Sequence, residues 1–172
     1  MSKFDYSLDY QNLNLRDRPE LYSVGKGEQG VLLVEPYKSE ILPYWRFKTP
    51  EIATESSNKI YQLFLEYLKQ EDFVGADMAR KFLQMGYTRS RRYANHKSGK
   101  KYRKNPQKAS SKTVEKAARQ EVLPLDLDPV KAKSAEIFKA KWQQAKSNTR
   151  YQELLQLHQE KYRNNAHGTK AN

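Results

Sequence analysis

The chain has 172 residues, with 32 Lys and Arg against 20 Asp and Glu, a formal net charge of +12, 37% hydrophobic residues and no cysteine. That length bounds it to one domain with appendages, and the missing cysteines exclude disulfide scaffolds, thiolate zinc sites and thiol nucleophiles together. No stretch approaches the roughly 20 apolar residues of a bilayer crossing, and the start lacks a signal-peptide run, so a soluble cytoplasmic protein with no membrane partner is expected.

Residues 1–20 alternate apolar and polar positions (Phe4, Tyr6, Leu8, Tyr10, Leu13, Leu15), which predicts an extended N-terminal arm. An α+β core is expected over 21–96. Its first part is two β-prone runs, 21–24 and 31–34, flanking the glycine-rich residues 25–30, a pattern that predicts a hairpin. Residues 41–47 form another short apolar-aromatic run, limited by Pro43 to an edge or irregular strand. Thr49, Pro50 and Glu51 then mark a helix start: a hydroxyl to cap free amides, a proline suited to the first turn and an acid that complements the dipole. Ile52, Ile60, Leu63, Phe64, Tyr67 and Leu68 give that helix one buried face. Asp72 is placed to cap a second helix carrying Val74, Met78, Phe82 and Met85, with Gly86 expected to end it.

Residues 97–125 are poor in apolar side chains and rich in Lys and Ser, which predicts a basic flexible loop. A C-terminal helix pair is expected over 126–163. Asp128 and Pro129 start its first member, striped by Ala135, Phe138, Trp142 and Ala145, and Thr149 starts its second, with Tyr151, Leu154, Leu155, His158 and Tyr162. A disordered tail is expected over 164–172. The fold class expected is α+β: a small antiparallel hairpin or sheet near the N-terminus, packed with four helices, and a basic loop between the two helix pairs.

The charge is concentrated. Between Arg80 and Arg119 there are fourteen basic residues and one acid, Glu115, so these forty residues carry +13 and the remainder of the chain is close to neutral. Arg89, Arg91, Arg92, Lys97, Lys100, Lys101, Arg103 and Lys104 supply phosphate-gripping cations, and Tyr87 and Tyr93 offer faces on which unpaired bases stack. The expectation is a non-enzymatic protein that binds nucleic acid, RNA or a single strand, or takes part in a ribonucleoprotein. As the alternative, the same charge also fits another polyanion or an acidic protein partner, which would make the chain an adaptor. The stripe of the 126–163 helices is expected to face the core and not a partner.

Gly25, Gly27 and Gly30 match G-x-G-x-x-G, but the run after them is strand-like and no βαβ unit follows, so the motif reads as structural. An enzyme or binder of an anionic small substrate, using that loop with Arg46 or Arg91, stands as the alternative. His96, His158 and His167 lie far apart without ligand spacing, so no metal, no cofactor and no catalytic residue is assigned.

The stretches 25–32, 41–47 and 77–89 resemble the bacterial family known as domain of unknown function 4385, with the likeness running from about Phe4 to Tyr162. The resemblance implies a single small cytoplasmic domain. It implies no catalytic residue, and it counts against a generic nucleotide loop at residues 25–30.

Overall fold

The computed structural model describes residues 3–162; the tail expected over 164–172, with His167, lies outside them. Among the described residues the chain forms six α-helices: α1 (Tyr37–Ile41), α2 (Pro50–Lys69), α3 (Phe73–Asn95), α4 (Lys112–Gln120), α5 (Pro129–Lys146) and α6 (Thr149–Tyr162). No strand forms among them, and the only β-type pairings are two isolated bridges, His96 with Asp126 and Tyr102 with Val122. The fold is all-helical, which corrects the expected α+β class.

The expected hairpin is replaced by a train of turns, and its physical reason lies in α3. Val31 and Val34 are buried, as strand residues would be, but Gly25, Gly27 and Gly30 all take positive φ and fold the backbone back on itself. Turn hydrogen bonds run from the Gln29, Val31 and Leu33 amides to the Lys26, Glu28 and Gly30 carbonyls. The carbonyls of Gly27 and Gln29 accept from the side chains of Arg80 and Lys81, so the acceptors that a partner strand would have used are filled from the helix. The 41–47 run is likewise not a strand: Ile41 ends α1, and Leu42–Tyr44 is a 3-10 turn. The first residues lie on the domain as turns, with Phe4, Tyr10 and Leu15 buried.

The helix starts read from capping chemistry are found where expected. Thr49 accepts from the Ile52 amide, Asp72 from Gly75, and Asp128 from Val130 and Lys131. The buried faces also follow the spacing: Ile60, Phe64, Tyr67 and Leu68 on α2, and Ala135, Phe138 and Ala145 on α5. The α5 stripe faces the core, because α5 packs most extensively on α3 and then on α2.

Gly86 does not end α3; it lies within it, and the helix continues to Asn95. A Cβ at this position would run into the ring of Phe138 on α5, so glycine here lets two helix backbones approach instead of closing a helix. Ser90 and Ala94, one and two turns on, continue the same buried small-residue face.

The segment after α3 is built, too. Asn105 caps a 3-10 turn at Pro106–Lys108, and Ser111 caps α4 by accepting from the Val114 amide. The chain then returns beside its own departure: the Asp126 and Asp128 amides donate to the Asn95 and Ala94 carbonyls, Leu123 to Lys101, and Arg103 to Glu121. Residues 97–125 are therefore an excursion closed at its base.

Candidate polyanion interface

The +13 block divides in two, and the division falls inside α3. Arg80 and Lys81 are buried on the face that turns toward the N-terminal segment. With Asp77 they occupy positions i, i+3 and i+4 of one helix. Arg80 bonds Asp77 Oδ1 at 2.7 Å, the Gly27 carbonyl at 2.7 Å and Gln84 at 2.9 Å. Lys81 Nζ donates to the Gln29 carbonyl at 2.6 Å, stands 4.0 Å from Asp77 Oδ2, and lies 5.0 Å and 4.9 Å from the ring centres of Phe4 and Tyr22. The hydroxyls of Tyr22 and Tyr151 both donate to Asp77. Burial alone would raise the Asp77 carboxyl, but Arg80, Lys81 and the two hydroxyls outweigh it and hold the group below its ordinary value. Burial pushes the Lys81 ammonium down to about 8, with Asp77 opposing the shift.

These two cations bind the protein's own glycine turn and are unavailable to a ligand. The other twelve basic residues of the block are all exposed. Of those, Lys97 pairs with Asp126 at 3.5 Å and Arg119 with Glu115 at 2.9 Å; the remaining ten make no ion pair among the described residues. Arg89, Arg91 and Arg92 stand on the last turns of α3, and Lys100, Lys101, Arg103 and Lys104 on the excursion. Glu28, which accepts from the Thr88 hydroxyl at 3.1 Å, feels the charges of Arg89 and Arg92. Burial raises the Glu28 carboxyl, while Thr88, Arg89 and Arg92 act in the other direction.

The tyrosines are placed differently from what the sequence suggests. Tyr87 is half-buried and stacked on Trp142 at 5.8 Å and 20° between planes. Tyr93 packs against Phe47 at 5.8 Å, and Gly99 presses on it so closely that a Cβ there would lie 2.5 Å from the ring. Gly99 has φ +72°, so that close turn also needs its left-handed backbone.

A cleft of about 670 Å³ is lined by Arg16, Asp72, Phe73, His158, Lys161 and Tyr162 among others, between the start of α3 and the end of α6, and by none of residues 25–30. Arg46 is exposed, and its amide donates to Ser56 Oγ. His96 Nδ1 lies 3.2 Å from the Pro124 carbonyl, and His158 Nε2 lies 2.9 Å from the Tyr22 carbonyl, where burial pushes its imidazole below the ordinary range. Among the described residues no group of three His, Asp or Glu side chains comes together as metal ligands, and no helix is long and apolar enough to cross a membrane.

Sequence reasoning missed the Asp77 cluster, although one signal was present. Asp77, Arg80 and Lys81 interrupt the apolar run Val74, Met78, Phe82 at helical neighbour spacing, which is where a buried ion pair shows itself. Tyr22 and Tyr151 join it from distant parts of the chain, which no local pattern announces.

Fold and contacts together define a small all-helical domain with a sealed ionic centre and an exposed basic excursion. The chain belongs to the family described as Domain of unknown function (DUF4385), whose model matches residues 5–161. No curated protein and no solved structure matches it.

Proposed function

We propose that this is a non-enzymatic, cytoplasmic nucleic-acid-binding protein that grips phosphates with Arg89, Arg91 and Arg92 and with Lys100, Lys101, Arg103 and Lys104, joined by Lys97 when a phosphate displaces its exposed partner Asp126. The observation that carries the reading is the set of ten exposed cations without an ion-pair partner among the described residues, gathered on the end of α3, the excursion and α4. Cations that stabilised the fold would be paired, as Arg80 is; cations left in water on one stretch of surface favour an anionic partner. The absence of cysteine suits the reducing cytoplasm. No catalytic residue enters the reading. The glycine-turn alternative is weakened because the Gly27 and Gln29 carbonyls are taken by Arg80 and Lys81.

The test is the affinity for a labelled mixed-sequence oligonucleotide, followed by fluorescence anisotropy across a salt series. Affinity should fall linearly on logarithmic axes, and Arg89, Arg91 and Arg92 replaced together by Ala should flatten the slope by about one unit per arginine. A salt-independent affinity, or an unchanged slope in the folded triple variant, removes the reading.

A further inference from the structure

The rings interleaved with these cations are already engaged by the protein itself. Besides Trp142, Tyr87 has Lys139 Nζ 5.7 Å from its ring centre. Tyr93 is held by Phe47 and Gly99, with Lys131 Nζ 6.0 Å from its centre. Tyr102, the third ring of the segment, has Lys101 Nζ at 5.4 Å and the Arg119 guanidinium at 5.9 Å. The exposed tyrosines Tyr6 and Tyr44 lie outside the basic segment, on the N-terminal arm and on the 3-10 turn after α1. Preference for a single strand comes from stacking unpaired bases on aromatic faces, worth about 1–3 kcal/mol per base. A surface whose rings are occupied forgoes that gain and keeps only the phosphate contribution.

The phosphate contribution favours a duplex. Double-stranded nucleic acid carries about one charge per 1.7 Å of axis and releases more counterions per contact than a single strand does. Arg89, Arg91 and Arg92 are carried on a helix, as are Lys112, Lys116 and Arg119 on α4. Such cations have fixed anchor points, which match a ligand whose phosphates are fixed as well; a flexible strand must be ordered before it meets them.

We infer, resting on the nucleic-acid reading above, that the partner is a duplex bound through its phosphates alone, without base stacking. The experiment compares the full chain's affinity for a labelled DNA duplex, an RNA duplex of the same sequence, and each separate strand, at roughly 50 and 200 mM salt. At least one duplex should bind about 10-fold more tightly than either of its strands, with the steeper salt slope belonging to the duplex. The DNA and RNA arms show which helical form the cations fit. Tyr102→Leu should leave both affinities in place. Single strands binding as tightly as duplexes, or a selective loss of single-strand binding in Tyr102→Leu, overturns the inference while leaving the nucleic-acid reading standing. Absence of binding to all six probes overturns both.

Discussion

Lys81 makes the stability of this protein rise with pH on the alkaline side, where a lysine held by an ion pair would make it fall. Its side chain is fully buried beside one carboxylate that Arg80 already neutralises, so a protonated Lys81 is a second positive charge in the core. With a folded value of about 8 against 10.5 for the free side chain, the unfolded chain holds more protons between those limits, and stability rises with pH there. Linkage over the window from pH 8 to 10 puts the gain at about 2 kcal/mol. The facing groups set the upper limit. Tyr22 and Tyr151 are raised by burial and by Asp77, so their contribution is lost once unfolded tyrosine begins to ionise above about pH 10. Asp77 and Arg80 do not titrate in the window. Urea unfolding at steps across it should therefore show a rising midpoint at constant m, and Lys81→Met should abolish the rise. A wild-type midpoint that is flat or falling, or a Lys81→Met variant that runs parallel to wild type, would refute this account of the buried ammonium.

Replacing Gly86 with Ala should destabilise by about 1–3 kcal/mol, since the clash with Phe138 outweighs a helix-propensity gain of up to about 1 kcal/mol; the urea midpoint reads it, and a stabilised variant contradicts the crossing. Asp72 caps Gly75, accepts from Tyr37 at 2.7 Å and faces Arg16 at 3.6 Å, so Asp72→Ala should lose about 2 kcal/mol or more in thermal unfolding. Asp72→Asn, which keeps the cap, should lose less. His158 is held neutral by burial, with the Tyr22 carbonyl and Asp77 acting against the shift and Lys161 with it. Its folded value is depressed, so stability should fall as pH drops through the ordinary histidine range. His158→Gln should weaken that dependence, and a variant with the full wild-type slope assigns it to other groups.

The parts of the fold legible in the sequence are those determined within a few residues. Thr49, Asp72 and Asp128 each cap a helix with an oxygen two or three positions from the amide they accept, and the α2 and α5 stripes repeat at helical spacing. The parts that were not legible depend on a distant partner. A glycine after an apolar helical run fits a helix end and a helix crossing equally well, and only Phe138, far along the chain, decides for the crossing at Gly86. Val31 and Val34 have the composition of a strand, yet side chains from α3 take the carbonyls beside them. α4 carries only Val114 and alanines as apolar residues, too few to mark a buried face, although Ser111 ahead of it was a readable cap. For the candidate site, the exposure of Arg89, Arg91 and Arg92 agrees with the charge pattern, but the withdrawal of Arg80 and Lys81 into the core and the engagement of Tyr87 and Tyr93 come from contacts across the fold.

The closed base of the excursion separates two properties that are normally entangled. Because Ala94 and Asn95 receive the returning backbone at Asp128 and Asp126, the chain leaves the helical core and re-enters it at nearly the same place. The exposed positions between can be recharged, and the segment lengthened, while the α2, α3 and α5 contacts stay as they are so long as Gly99 keeps its place against Tyr93, since doubling a loop costs only about 0.6 kcal/mol in closure entropy. On the proposed reading, the exposed cations of 97–120 can be exchanged with little effect on the helical core, so binding and stability come apart along this stretch.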